Sequence, residues 1–332
     1  LNPNSHLGFY QRGCTFKDSK RYFEAIKDLD SAISINPTFL EAINERGIVY
    51  RLLKEFEKSI NSFEDALTID PKFYNAILNR GVTYQLSGNI ENALFDYNTF
   101  LINDPTNVEC LINRGSIFHE LKEFDMALTD YAKALLLEPQ DTDALNNRGI
   151  TLNALGKFDE ALADFKSALL LKPFNADGLM NRAIALTELR RFDEAMQDIQ
   201  KAIEIEPDNP KAFNSRGVIN RDLGYFEMAL NDFQSALSMS PHDINVINNM
   251  GNVYKDTGNY DKALASFVEA HTKEPNDIEA TWNQSLLFLL FENFAGAWQP
   301  YECRWERANQ STRFLNSSKP LWDGETGKRI FL

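Results

Sequence analysis

Residues 142–173 read TDALNNRGITLNALGKFDEALADFKSALLLKP, and residues 108–139 read VECLINRGSIFHELKEFDMALTDYAKALLLEP. The two stretches align position for position at a step of 34, and each closes on a proline. The same step runs through Pro37, Pro71, Pro105, Pro139, Pro173, Pro207, Pro241 and Pro275, with Pro3 one step further back. A fixed period of this length marks a stacked array of equal pieces. Length alone would divide the 332 residues into two domains, but an array grows without splitting its core.

Units of this period begin at residues 6, 40, 74, 108, 142, 176, 210, 244 and 278. Position 8 of the unit is Gly13, Gly47, Gly81, Gly115, Gly149, Ala183, Gly217, Gly251 or Ser285, and position 20 is alanine in every unit but the second, which has Ser59. Large residues alternate with these: Tyr84 and Phe118 at position 11, Phe124 and Phe158 at 17, Phe165 and Phe233 at 24. Small residues let two helices approach closely, and large ones fill the space beside them at interior density. Positions 4, 8 and 11 make one helical stripe and positions 17, 20, 24, 27 and 28 a second, so each unit reads as helix A, a turn and helix B. Gly88, Gly156, Gly224 and Gly258 fall in the turn, where a helix end favours glycine. The proline at position 32 stops helix B.

A small residue at 8, an aromatic at 11, Ala at 20, an aromatic or apolar residue at 24, Ala at 27 and Pro at 32 resemble the tetratricopeptide repeat family over residues 6 to about 307. The resemblance implies an all-α fold, a right-handed α-solenoid or superhelix of stacked helix hairpins with a concave groove for a protein or peptide partner. The organisation expected is residues 1–5 as the tail of a preceding repeat, 6–311 as nine units with the last degenerate and capping, and 312–332 as a linker and the start of a glycosyltransferase-like domain. The first part follows from Leu1-Asn2-Pro3, which aligns with Ile35-Asn36-Pro37 and implies a fragment of a longer protein.

In the last unit helix A turns apolar almost all round, through Trp282, Leu286, Leu287, Phe288, Leu289, Leu290 and Phe291. A terminal unit facing water needs a polar outer face, so this one is expected to be covered. Next come Trp298, Tyr301, Glu302, Arg304 and Trp305, then Pro320-Leu321-Trp322-Asp323-Gly324-Glu325 and Gly327-Lys328-Arg329-Ile330-Phe331-Leu332. This tail resembles the junction of bacterial proteins that join such repeats to a glycosyltransferase-like domain distantly similar to O-GlcNAc transferases. The spacer after Glu325 is one residue, shorter than in that family. The resemblance implies a substrate-recruiting arm whose catalytic domain lies beyond Leu332, and it transfers no catalytic residue to this chain.

Position 7, usually Leu in the family, is Arg12, Arg46, Arg80, Arg114, Arg148, Arg182 and Arg216. Position 23 is Asp28, Asp96, Asp130, Asp164, Asp198 and Asp232 in six of those units, while the last two units lack both. An unpaired arginine beside a buried stripe is costly. Interhelical pairs Arg80–Asp96, Arg114–Asp130, Arg148–Asp164, Arg182–Asp198 and Arg216–Asp232 are therefore expected, within a unit or to the next. The alternative is a set of independent surface charges.

The net charge of −14 disfavours nucleic acid and anionic membranes as partners. Cys14, Cys110 and Cys303 are an odd set at long spacings, which fits a reducing, cytoplasmic setting. No apolar run is long enough to span a bilayer. His6, His119, His242 and His271 share no metal spacing, and no nucleotide loop or nucleophile motif is present, so neither a cofactor, a metal site nor catalysis is expected within these residues.

Positions 2, 6, 9 and 13 form a further stripe of helix A, which in the family lines the groove. Position 6 holds Asn79, Asn113, Asn147, Asn181, Asn249 and Asn283. An amide donates and accepts, so a row of them suits an extended peptide backbone read without regard to its side chains. The row resembles the asparagine ladder of O-GlcNAc transferase repeats; the alternative is that each asparagine bonds the neighbouring helix. Position 2 adds acid in Glu41, Glu109, Asp143, Asp177 and Glu279, and position 12 adds basic or polar groups in Lys17, Arg51, His119, Arg221 and Lys255; acid along one side favours basic or polar ligands. A clamp for chaperone C-terminal tails needs cations at positions 2 and 5, where the sequence offers only Lys211 with Asn214. The function expected is a protein-interaction module using its groove, or a scaffold using its edges.

Overall fold

The computed structural model describes residues 5–305, as eighteen α-helices and one short 3-10 helix with no strand among them. The readings of residues 1–4 as a repeat tail and of 312–332 as a linker fall outside the described residues, as do 306–311. The chain divides into two compact bodies, Leu1–Pro173 and Phe174–Leu332. The first holds α1 (His6–Asp18), α2 (Tyr22–Ile35), α3 (Leu40–Leu52), α4 (Phe56–Ile69), α5 (Tyr74–Leu86), α6 (Ile90–Asn103), α7 (Val108–Glu120), α8 (Phe124–Leu137), α9 (Thr142–Ala154) and α10 (Phe158–Leu171). The second holds α11 (Ala176–Glu188), α12 (Phe192–Ile205), α13 (Pro210–Asp222), α14 (Phe226–Met239), α15 (Ile244–Asp256), α16 (Tyr260–Lys273), α17 (Ile278–Leu290), α18 (Phe294–Tyr301) and the 3-10 helix Glu302–Trp305. Odd-numbered helices are the A helices and even-numbered ones the B helices, each A packing on its own B.

What joins A to B is steric. The position-24 side chains Leu29, Phe63, Tyr97, Tyr131, Phe165, Ile199, Phe233 and Phe267 are all fully buried. In the seven units with glycine at position 8, this side chain lies against that glycine, so tightly that a Cβ on Gly149 would come within 2.6 Å of Phe165 and one on Gly251 within 2.5 Å of Phe267. Ala183 is tolerated where position 24 is the smaller Ile199, and both are buried. Position 20 is the second close approach. Its alanines are fully buried, and Ser59, the exception, donates its hydroxyl to the Gly47 carbonyl at 2.8 Å, so the buried polar atom is satisfied.

The boundaries of the hairpin follow from local backbone chemistry. After helix A, position 15 adopts the left-handed conformation in all nine units: Gly88, Gly156, Gly224 and Gly258, but also Lys20, Lys54, Lys122, Arg190 and Glu292. The next N–H then closes back on the carbonyl five residues earlier, as Lys157 does on Leu152 at 2.9 Å, the hydrogen bond that ends a helix in this way. At the far end of helix B the residue before each proline is turned out of the helical region, as at Asp70 (φ −134°, ψ 101°) and Lys172 (φ −124°, ψ 79°). Side-chain oxygens of Asn107, Asp141, Asn175, Asn209, Asp243 and Asp277 cap the following A helices.

The arginine and aspartate columns meet within single units. Arg148 donates from Nε and Nη2 to the two carboxylate oxygens of Asp164 at 2.7 and 2.6 Å. Arg80–Asp96, Arg114–Asp130 and Arg182–Asp198 repeat this fork at 2.7–2.8 Å, and Arg12–Asp28 has the same form. Arg216 binds Asp232, which also accepts from the buried Asn220 amide at 2.8 Å. The carboxylate end is buried while the guanidinium is part-exposed, 8% against 30% for Asp164 and Arg148. The carboxylates hold the Arg80, Arg148 and Arg182 guanidinium groups above their ordinary pKa through these hydrogen bonds. Arg46, whose position-23 partner is Ser62, donates to the Ser62 hydroxyl at 3.2 Å and to Asp30 and Asp65 at 3.2 and 3.0 Å. A third arginine arm ties some units to the preceding B helix, as Arg114 Nη1 does to Asn98 at 2.7 Å.

Candidate peptide-binding surface

Successive A helices touch one another in the first body (α1 with α3, α3 with α5, α5 with α7, α7 with α9) and in the second (α11 with α13, α13 with α15), whereas successive B helices make no comparable contact. The A helices are therefore the side on which successive units of each body meet, and the stripe of positions 2, 6, 9 and 13, expected to line an inner face, runs along them.

The position-6 asparagines do not share one environment. Asn79 donates to Asn44 of the preceding A helix at 3.3 Å and to the Asn75 carbonyl at 2.9 Å, and accepts from Arg51 at 3.2 Å. Asn249 donates to Asn214 at 2.9 Å. Asn283, buried, accepts from Lys255 at 3.5 Å. Asn181 has an interaction of its own. Asn113 and Asn147, one unit apart on α7 and α9, are half-buried, and their side-chain amides have no hydrogen-bond partner among the described residues.

The position-12 residues, expected from the sequence to offer basic or polar groups to a ligand, are in part turned to the protein itself, which explains part of this. The position-12 side chain of one unit reaches over to the A helix of the next. Lys17 meets Glu45 at 2.6 Å, Gln85 meets Ser116 at 2.9 Å, His119 meets Thr151 at 2.9 Å and Arg221 meets Asp256 at 2.6 Å, alongside the Arg51–Asn79 and Lys255–Asn283 contacts. The target moves among positions 6, 9, 10 and 13. The recurring 28-residue offset of Lys17–Glu45 and Lys255–Asn283 is the one sequence signal that points to it.

Carboxylates dominate the exposed rim of the inner face. In the first body these are Asp18, Glu41, Glu109, Glu120 and Asp143, and in the second Asp177, Glu188, Asp222, Asp256 and Glu279, with Lys211 the single cation at those positions in the second body's described residues. Cys110 is buried, and burial pushes its thiol up to about 12, far from a reactive thiolate. No group of three metal-ligating side chains occurs among the described residues, and no described helix is long and apolar enough to cross a membrane.

Stacked helix hairpins whose A helices line an inner face of amides and carboxylates define a helical-repeat scaffold, a fold that is typically non-catalytic. Tetratricopeptide repeat models match residues 8–39, 40–73, 108–141 and 210–243, residues 146–210, and residues 246–279, together more than half of the chain. The chain belongs to the tetratricopeptide repeat family. No curated protein matches its sequence. Among solved structures it is similar to a tetratricopeptide repeat protein of Parabacteroides merdae (24% identity, 75% of this chain and 98% of that one, TM-score 0.61). A thermophilic TPR protein of Thermus thermophilus is similar over 55% of this chain and 100% of its own, at 23% identity and TM-score 0.52. The APC/C hetero-tetramer Cut9–Hcn1 is similar over 87% of this chain and 57% of that one, at 18% identity and TM-score 0.61.

Proposed function

We propose that the inner face of the A helices holds an extended segment of a protein partner. Tetratricopeptide repeat proteins mediate protein–protein interaction, and the similar Cut9–Hcn1 structure is itself a protein assembly. The observation that carries the reading is the pair Asn113 and Asn147: amides one unit apart on the inner stripe, unclaimed by any described neighbour. Such amides match the N–H and C=O of a guest backbone whatever its side chains. The rim carboxylates add preference for a guest of opposite charge. The test is selection of binders from a displayed library of random peptides, followed by titration on an Asn113→Ala/Asn147→Ala variant. Loss of binding with helicity intact is expected; unchanged binding would move the site to the edges of the array.

A second reading makes the same face the substrate-recruiting arm of a glycosyltransferase-like enzyme. Its support is the junction motif. Tyr301 stacks on Trp282 at 5.1 Å, Trp298 meets Tyr301 edge-on at 6.1 Å, and Arg304 lies over the Tyr301 ring at 4.6 Å. In this reading the motif is a fixed mount on α17 for a following domain. The codons after Leu332 test it: a glycine-rich loop followed by alternating strands and helices is expected, and further repeats would contradict it.

A further inference from the structure

In the second body a cavity of about 200 Å³ opens on the inner face between α11 and α13. It is lined by the buried Ala183 and Ile219, by Ile184 and Val218, by the polar Thr187, Asn214 and Ser215, and by the exposed Glu188. The sequence explains why the gap exists here. Wherever position 12 is long, its side chain spans the interval to the next A helix, as Lys17, Arg51, Arg221 and Lys255 do. In this unit position 12 is Thr187, whose hydroxyl turns back to the Ala183 carbonyl at 2.8 Å. The facing position 6 is the short Ser215 rather than asparagine. The place that other units fill with their own cation is left open, with a carboxylate at its edge.

We infer that this cavity receives the side chain of a lysine or arginine from a polypeptide bound on the second body's inner face, an assignment that rests on the reading proposed above. The volume equals roughly seven water molecules, enough for one such side chain. Its aliphatic stem packs on Ile184 and Val218, and its charged head reaches Glu188, the amphipathic division of a long basic side chain. A purely apolar guest would leave Glu188 without a counter-charge on a rim that already carries Asp177 and Asp222. The guest supplies from outside the bridge that Lys255 supplies from within.

The experiment uses the full chain and peptides selected from a displayed random library. Selected sequences should carry a lysine or arginine whose replacement by the neutral isostere norleucine weakens binding. Glu188→Gln should weaken binding by about threefold, the modest effect of an exposed carboxylate. Thr187→Lys restores the internal bridge, fills the cavity and should weaken binding by about tenfold or more. Unchanged affinity of the norleucine peptide, or of Thr187→Lys with helicity intact, overturns the inference. Loss of binding in Asn113→Ala/Asn147→Ala with no change in Thr187→Lys leaves the groove reading standing and removes this one. A library that yields no binder removes both.

Discussion

Units six and eight lie in the same body and have helices of equal length, yet they differ at nearly every contact beyond the steric seam. Unit six has Ala183 and Ile199 buried at positions 8 and 24, where unit eight packs Gly251 on Phe267. Unit six carries the Arg182–Asp198 fork, where unit eight has Met250 and Ser266. Unit six turns on Arg190 in the left-handed region, and unit eight on Gly258. Unit eight closes on the next A helix through Lys255, and unit six leaves the interval open at Thr187. The hairpin survives all these exchanges, so its cause is the matched volumes at positions 8 and 24. The fork adjusts stability, and position 12 sets what the inner face offers a guest.

That division predicts a ranking. Phe267→Ala should cost about 3–5 kcal/mol and Ile199→Ala about 2–5, read from denaturant melts. Gly251→Ala, which drives a Cβ into Phe267, should cost about 1–3 kcal/mol, whereas Ala183→Gly should cost only about 1, the helix-propensity difference. Asp198→Ala should cost about 2 kcal/mol, between a broken buried pair and a surface one, because Arg182 regains some water. Ser266→Ala, the same column without a fork, should stay within about 0.5 kcal/mol, and equal losses at the two sites would show that the fork contributes nothing. At the turn, Gly258→Ala should destabilise by about 1 kcal/mol, while Arg190→Gly should stabilise by about 0.5 after the loss of its contact with the Phe192 ring.

The smallest effect belongs to unit four, where the bridge is titratable. Burial lowers the His119 imidazole below its ordinary 6.5. The unfolded chain therefore takes up the proton first. The stability carried by the neutral ring is complete above pH 6.5 and falls as pH drops through that value toward the lowered folded one. Thermal melts across about pH 5–8 should show this slope, and His119→Gln should flatten it.

The hairpins are legible in the sequence because close helix packing admits few residues at Gly149 or Ala161, and because Pro173 interrupts the backbone whatever surrounds it. The fork is legible as two columns, but not its register: Asp164 follows Arg148 by 16 residues and precedes Arg182 by 18, and only packing decides between them. The left-handed turn hides wherever lysine, arginine or glutamate occupies it, since the main-chain hydrogen bonds that fix it carry no residue signature. The bridges hide because Lys17, Arg51, Gln85 and His119 differ in type and in target. The cavity at Thr187 hides for a simpler reason, in that it is made by a side chain too short to reach. The asparagine column was visible, yet reach also separates its members: Asn79, Asn249 and Asn283 are held by neighbours, and Asn113 and Asn147 are not.

The most direct measurement is a crystal structure of the chain with a selected basic peptide. An extended backbone on the A-helix face is predicted, with a lysine or arginine side chain between Ile184 and Val218 and its charged group bonded to Glu188. A peptide seated on the B helices, or an empty interval at Thr187 beneath a bound peptide, would contradict it.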